Sequence, residues 1–171
     1  MSLDDFRVRG EGAYPIIVDA ENCKDTVSVL SDLAFSCEGE LNGILTYIYQ
    51  SVVTNKMNED VAKVLEEIAV VEMTHLDMLM LAITDFGGDP KYIDDMRKPY
   101  STTCIEYGTR LFDMLKQNIV AEEDTINNYK QAIGLVKNKS LKALFERIIK
   151  DEECHLKIFK YLLENVKFMS C

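Results

Sequence analysis

The chain has 171 residues, 47% of them hydrophobic, which fits one domain with a substantial core. Eight glycines, three prolines and no tryptophan suit a helical protein. A formal charge of −10 argues against nucleic acid and anionic membranes as partners.

In chain order, residues 1–23 read as an extended segment broken by Gly10, Gly12 and Pro15. It is expected along the outside of the helices or across a partner subunit, and nothing in it suggests chemistry. A first helix is predicted from about Lys24 to Val53, with Asn22 as its N-cap and Asp25 in its first turn. Val29, Leu33, Cys37, Ile44 and Tyr47 follow the helical period, and Glu40 falls on the same stripe. Gly39 and Gly43 flank Glu40 and predict close packing there. Asn58 caps a second helix whose stripe runs Val61, Val64, Leu65, Ile68, Glu72, His75, Leu76, Leu79, Ile83. It stops at Gly87-Gly88-Asp89-Pro90.

Residues 89–102 form the longest connection, long enough to run the height of a bundle. Thr103 and Glu106 fit a capping box for a third helix, from about Cys104 to Lys137. Its stripe is Leu111, Leu115, Ile119, Glu122, Ile126, Tyr129, Ile133. Ser140 is the predicted cap of a fourth helix, roughly Leu141 to Phe168, with Leu144, Phe145, Ile148, Glu152, His155, Leu156, Phe159 and Leu163 on one face. Residues 24–168 thus read as a four-helix bundle in a single domain that spans 1–171.

The two halves repeat a pattern. Glu40-x-x-x-Ile44-x-x-Tyr47 precedes Glu72-x-x-His75, and Glu122-x-x-x-Ile126-x-x-Tyr129 precedes Glu152-x-x-His155. Positions i and i+3 share a helix face, so each Glu-x-x-His can offer a carboxylate and an imidazole to one ion. Two such pairs with one glutamate from each of two other helices make a carboxylate-bridged di-metal site. Four glutamates neutralise two divalent ions, which matters in a low-dielectric core. This ligand set suits iron or manganese better than structural zinc. Asp151, one turn before His155, can orient that histidine's free N–H. Tyr47 and Tyr129 can hydrogen-bond the carboxylates or supply an electron.

Each feature has a plainer reading. A single Glu-x-x-His is usually a surface or capping pair, but here the motif uses both histidines of the chain. Tyrosines on such stripes are more often core, and Asp151 is as readily solvated. Glu66, Glu67, Asp77, Glu123 and Glu153 read as surface charge. Cys37 and Cys154 read as small buried fillers. The five cysteines, odd in number and without a CxxC, read as free thiols of a reducing cytosol. With no apolar leader and no membrane-length apolar run, a cytoplasmic protein is expected.

At Glu40-Leu41-Asn42-Gly43-Ile44-Leu45-Thr46-Tyr47 and Asp151-Glu152-Glu153-Cys154-His155 the sequence resembles the bacterioferritin and rubrerythrin branch of the ferritin-like superfamily. The resemblance covers about residues 24–168 and implies an all-α ferritin-like four-helix bundle with a long crossover between helices 2 and 3. It implies Glu40, Glu72, His75, Glu122, Glu152 and His155 as metal ligands, with Glu72 and Glu152 bridging two iron ions, or alternatively two manganese ions. Tyr47 is the candidate catalytic residue. The implied activity is that of a non-haem di-iron oxidoreductase acting on hydrogen peroxide or dioxygen, with peroxidase or ferroxidase chemistry and a part in oxidative-stress defence. A dimanganese catalase and an iron storage or handling protein are the alternatives. The implied partners are an external electron donor such as a rubredoxin-type protein and a second copy in a homodimer. Two departures stand out: the chain has no rubredoxin-type CxxC pairs, and Thr125 stands where rubrerythrins carry an additional carboxylate.

Overall fold

The computed structural model describes residues 6–169, the side chains of 166–169 excepted. Among the described residues there are five α-helices: α1 (Lys24–Phe35), α2 (Glu40–Thr54), α3 (Glu59–Asp85), α4 (Leu111–Leu135) and α5 (Lys139–Met169), with a short 3-10 turn at Thr102–Cys104. They form a four-helix bundle, matching the expected fold class, in which α1 and α2 together make the first rod. Both pack on α3, and α4 packs on α5.

The continuous first helix predicted from Lys24 to Val53 is broken at 36–39. The turn there needs a glycine. Gly39, the N-cap of α2, lies so close to α1 that a Cβ there would sit 2.7 Å from the Leu33 carbonyl oxygen. The expected tight packing at Gly43 is not found: a Cβ there would meet Glu72 Cγ at 3.7 Å, an ordinary contact.

The caps show where local chemistry decides a boundary. The Asn58 side chain accepts from the Val61 N–H at 3.1 Å, as its position predicts. α3 ends in a Schellman turn: Gly87 takes a φ of +81°, its N–H bonds Thr84 O, and the Gly88 N–H bonds Ile83 O. At three other ends the predicted caps are replaced. The N-cap of α1 is Cys23 rather than Asn22. The Thr103–Glu106 box starts no helix; Ser101 caps the 3-10 turn, and α4 begins only at Leu111. For α5 the cap is Asn138, whose Oδ1 accepts from the Leu141 N–H and from the Ser140 hydroxyl.

Two apolar clusters fill the bundle. One joins Leu30, Phe35, Leu79, Ile83, Tyr129 and Phe145. The other joins Tyr47, Leu65, Ile68, Leu115, Phe159 and Leu162. Along α3 and α5 the residues between these clusters are Glu72 and His75, and Asp151, Glu152 and His155, so the polar centre is held between two dry ends. No helix of the described residues is long and apolar enough to cross a membrane.

Candidate metal centre

Six side chains from four helices converge mid-bundle. Glu40 opens α2, Glu72 and His75 lie one turn apart on α3, Glu122 comes from α4, and Glu152 and His155 repeat the spacing on α5. None is more than 4% exposed. They form two groups of four with two members in common. Glu40, Glu72, His75 and Glu152 make one group; Glu72, Glu122, Glu152 and His155 make the other, and in each the ligand-capable atoms lie within 4.8 Å of one another.

Both histidines face inward through Nδ1. His75 Nδ1 lies 2.9 Å from Glu72 Oε2, 3.0 Å from Glu152 Oε1 and 3.5 Å from Glu40 Oε2. His155 Nδ1 lies 3.1 Å from Glu72 Oε1, 3.1 Å from Glu152 Oε2 and 3.7 Å from Glu122 Oε2. Each histidine therefore meets both shared glutamates and one outer glutamate of its own.

The opposite ring nitrogens fix the tautomer. His155 Nε2 is 2.9 Å from the Val8 carbonyl oxygen, which can only accept, so Nε2 carries a proton, and a ring that gives up its other proton to a cation would present the Nδ1 lone pair inward. His75 Nε2 is 3.0 Å from Asp151 Oδ2. Burial pushes the Asp151 carboxyl up, but its bonds with His75 and Arg147 outweigh this and hold it at about 2. As a carboxylate it accepts, and His75 takes the same tautomer.

Asp151 is fully buried, which decides against the solvated reading, and it serves His75 of the other half rather than its own neighbour His155. It also accepts from the Gly10 N–H at 2.6 Å, the Tyr14 hydroxyl at 2.8 Å and Arg147 Nη1 at 2.7 Å. Arg147 in turn donates to the carbonyls of Gly12 and Gly10 and lies 4.4 Å from the Tyr14 ring centroid. The N-terminal segment, expected to be chemically idle, is thus strapped across α5 and reaches the back of both histidines. Gly10 permits the approach, since a Cβ there would sit 2.7 Å from Lys150 Cβ. The halves differ here for a visible reason: Asp151 precedes Glu152, whereas Val71 precedes Glu72, and the Val8 carbonyl fills the role on that side.

The tyrosines cross over. Tyr47 on α2 donates to Glu122 Oε1 at 2.5 Å, and Tyr129 on α4 donates to Glu40 Oε1. Burial and the adjacent carboxylates raise both phenols well above their ordinary value, so they stay protonated. Burial lifts Glu40 to about 8 and Glu122 well up. Burial also pushes Glu72 and Glu152 up, but the histidines overcome it and both lie low. Burial disfavours the imidazolium, yet Glu40 beside His75 and Glu72 beside His155 raise both imidazoles.

Two buried carboxylate oxygens in this cluster, Glu122 Oε2 and Glu152 Oε1, make no hydrogen bond; the second approaches His75 Nδ1 without the geometry of one. Orphaned carboxylate oxygens beside two inward-facing imidazoles, whose Nδ1 protons a cation would displace, fit a pair of divalent cations. A cavity of about 490 Å³ reaches Glu40, Glu72, Glu122 and Glu152 from the surface between α2 and α4. Tyr47 and Thr125 line it, as does a reciprocal amide pair, Gln50 with Asn118, at 2.9 and 2.7 Å.

The cysteine reading needs correction. Cys37 is exposed rather than a buried filler, and it is disulfide-bonded to Cys104 across 67 residues. Cys154 is half-buried, Cys23 and Cys154 are free thiols, and Cys171 lies outside the described residues.

No curated protein matches the chain in sequence. Among solved structures, a manganese catalase from Anabaena PCC7120 is similar at 20% identity and a TM-score of 0.83, over 92% of this chain and 80% of that one. The bacterioferritin of Desulfovibrio desulfuricans is similar at 24% identity and a TM-score of 0.72, over 83% of this chain and 80% of that one. That of Rhodobacter capsulatus shows 20% identity and a TM-score of 0.73, over 86% and 88%. At these identities the likeness is one of fold. The rubrerythrin family model matches residues 32–163, a span that holds all six converging side chains, and on that match the chain belongs to the rubrerythrin family.

Proposed function

We propose that the chain is a non-haem di-iron oxidoreductase that reduces hydrogen peroxide or dioxygen. The observation that carries this reading is the pair of four-residue groups sharing Glu72 and Glu152. In it, Glu40 and His75 would hold one ion and Glu122 and His155 the other, with Glu72 and Glu152 belonging to both groups. The ions, when bound, supply the electrons that an oxidant accepts.

The remaining work falls to the protein. The cavity between α2 and α4 admits a small oxidant to the carboxylate face, opposite the strap. Tyr47 holds its proton against Glu122 at the cavity wall and is placed to pass it inward. Asp151 and the Val8 carbonyl hold the imidazoles in the ligating tautomer. An external donor of the rubredoxin type resets the site. A homodimer belongs to the same reading.

The fold likeness to a manganese catalase keeps one second reading: the same residues hold two manganese ions, and peroxide is disproportionated without a donor. Elemental analysis of protein purified without added metal, with peroxide turnover on the same sample, separates the two. About two irons per chain with donor-dependent turnover is the expected result. About two manganese with donor-free oxygen evolution selects the alternative. Glu72→Ala and Glu152→Ala should each lose metal; a folded chain that takes up none on anaerobic reconstitution sinks both readings.

A further inference from the structure

The Cys37–Cys104 pair is unused by that chemistry, yet it stands at the entrance to the same cavity. Both cysteines line the cavity that leads to Glu40 and Glu122. Cys37 is exposed where the first rod breaks between α1 and α2, and Cys104 is half-buried at the end of the 3-10 turn in the crossover. A small oxidant in the cavity is therefore within reach of these residues.

Cys37 lies two residues before Gly39, the N-cap of the 15-residue helix α2. Lys116 lines the same cavity, as do Glu38, Glu106 and Asp124. An exposed sulfur is open to attack by an incoming thiolate, the requirement for reopening a disulfide.

The bond is also not the only tie between the crossover and α2. The Tyr100 hydroxyl donates to Asn42 Oδ1 at 2.9 Å, and the rings of Tyr49 and Tyr107 meet edge-on with centroids 4.8 Å apart. These contacts do not pass through the sulfurs.

We propose that Cys37 and Cys104 form a peroxide-reducing thiol pair at the cavity mouth, reset by an external dithiol. The Cys37 thiolate attacks one oxygen of hydrogen peroxide. An S–O bond forms, the O–O bond breaks, and the departing hydroxide takes a proton to become water. The Cys104 thiolate then attacks the Cys37 sulfur; the S–S bond forms, the S–O bond breaks, and a second water leaves. Two thiols thus give two electrons and two protons, and one peroxide becomes two waters. A dithiol returns the electrons by exchange through a mixed disulfide. This step needs no metal and stands apart from the di-iron reading.

The test uses the full chain treated with chelator, reduced with dithiothreitol and desalted without oxygen. One equivalent of hydrogen peroxide should remove two of the five thiols and yield a Cys37–Cys104 peptide on mass mapping. Dithiothreitol added to the folded protein should restore all five. Cys104→Ser should leave a sulfenic acid on Cys37 that dimedone captures, and Cys37→Ser should give no such adduct while keeping wild-type metal content and helicity. The proposal is overturned if oxidation falls on the other cysteines, if no thiol is lost, or if the disulfide opens only on denaturation. Metal uptake and turnover of the reloaded protein report on the di-iron reading separately, so either can fail alone.

Discussion

Asp151 shows how one carboxylate can be committed on all sides. Its two oxygens accept from His75, Arg147, Tyr14 and the Gly10 N–H. An asparagine has a single acceptor oxygen, so Asp151→Asn sets an amide N–H against at least one of these donors. Metal affinity should fall about 10- to 100-fold as His75 loses its orientation. The metal-free protein should lose about 3 kcal/mol near neutral pH, because a buried charged partner is left uncompensated. The sign with pH follows. The folded carboxyl sits at about 2, below its unfolded value, so its stabilisation is present above the ordinary aspartate range and is lost as pH falls towards 2. Urea unfolding from pH 7 to pH 3 should show wild type and variant converging in acid. A constant gap would place the variant's cost elsewhere.

At the scale of the element, Gly43 offers a contrast with Gly39. Both flank a candidate ligand, but only Gly39 meets backbone at a distance no side chain tolerates. A methyl group at Gly43 makes ordinary contact with Glu72 and Tyr47, and glycine costs a helix interior about 1 kcal/mol against alanine. Gly43→Ala should therefore raise stability by about 0.5–1 kcal/mol with unchanged metal stoichiometry. A loss of stability in urea titration would mean the space beside Glu72 is needed. The same contrast marks what sequence can reveal. The stripes through Glu72, His75, Glu152 and His155 are legible because helical period is local, and so is the Asn58 cap. The break after Phe35 is not, because the apolar period runs on through it and the close approach of Gly39 to the Leu33 carbonyl exists only in the folded turn. The Cys37–Cys104 bond joins residues no local pattern relates. The strap contacts the site through the Val8 C=O and Gly10 N–H, which every residue type carries, so no side chain announced them; Tyr14 and Arg147 were the available signals. Asp151 was legible as a partner, but its histidine was not, since crossing between halves is a property of packing.

For the whole molecule, the centre ties all four rods of the bundle together, so its occupancy and the protein's stability are linked. Without metal the cluster holds protons: both imidazoles are raised by neighbouring carboxylates, and burial holds Glu40 up at about 8. Groups whose folded values lie above their unfolded ones stabilise the metal-free fold at low pH, and that contribution is lost as pH rises through the folded values. Cations need the same imidazoles neutral and the same carboxylates ionised, so binding expels those protons and tightens as pH rises. The two dependences run in opposite directions. The difference in melting temperature between metal-loaded and metal-free protein should therefore widen from pH 6 to pH 8, the range in which Glu40 gives up its proton. Calorimetry of metal binding in buffers of different ionisation enthalpy should show net proton release, larger at pH 6 than at pH 9. A melting gap that narrows with pH, or binding without proton release, would mean that the ions do not displace the protons of His75 and His155, and would remove these histidines from the ligand set.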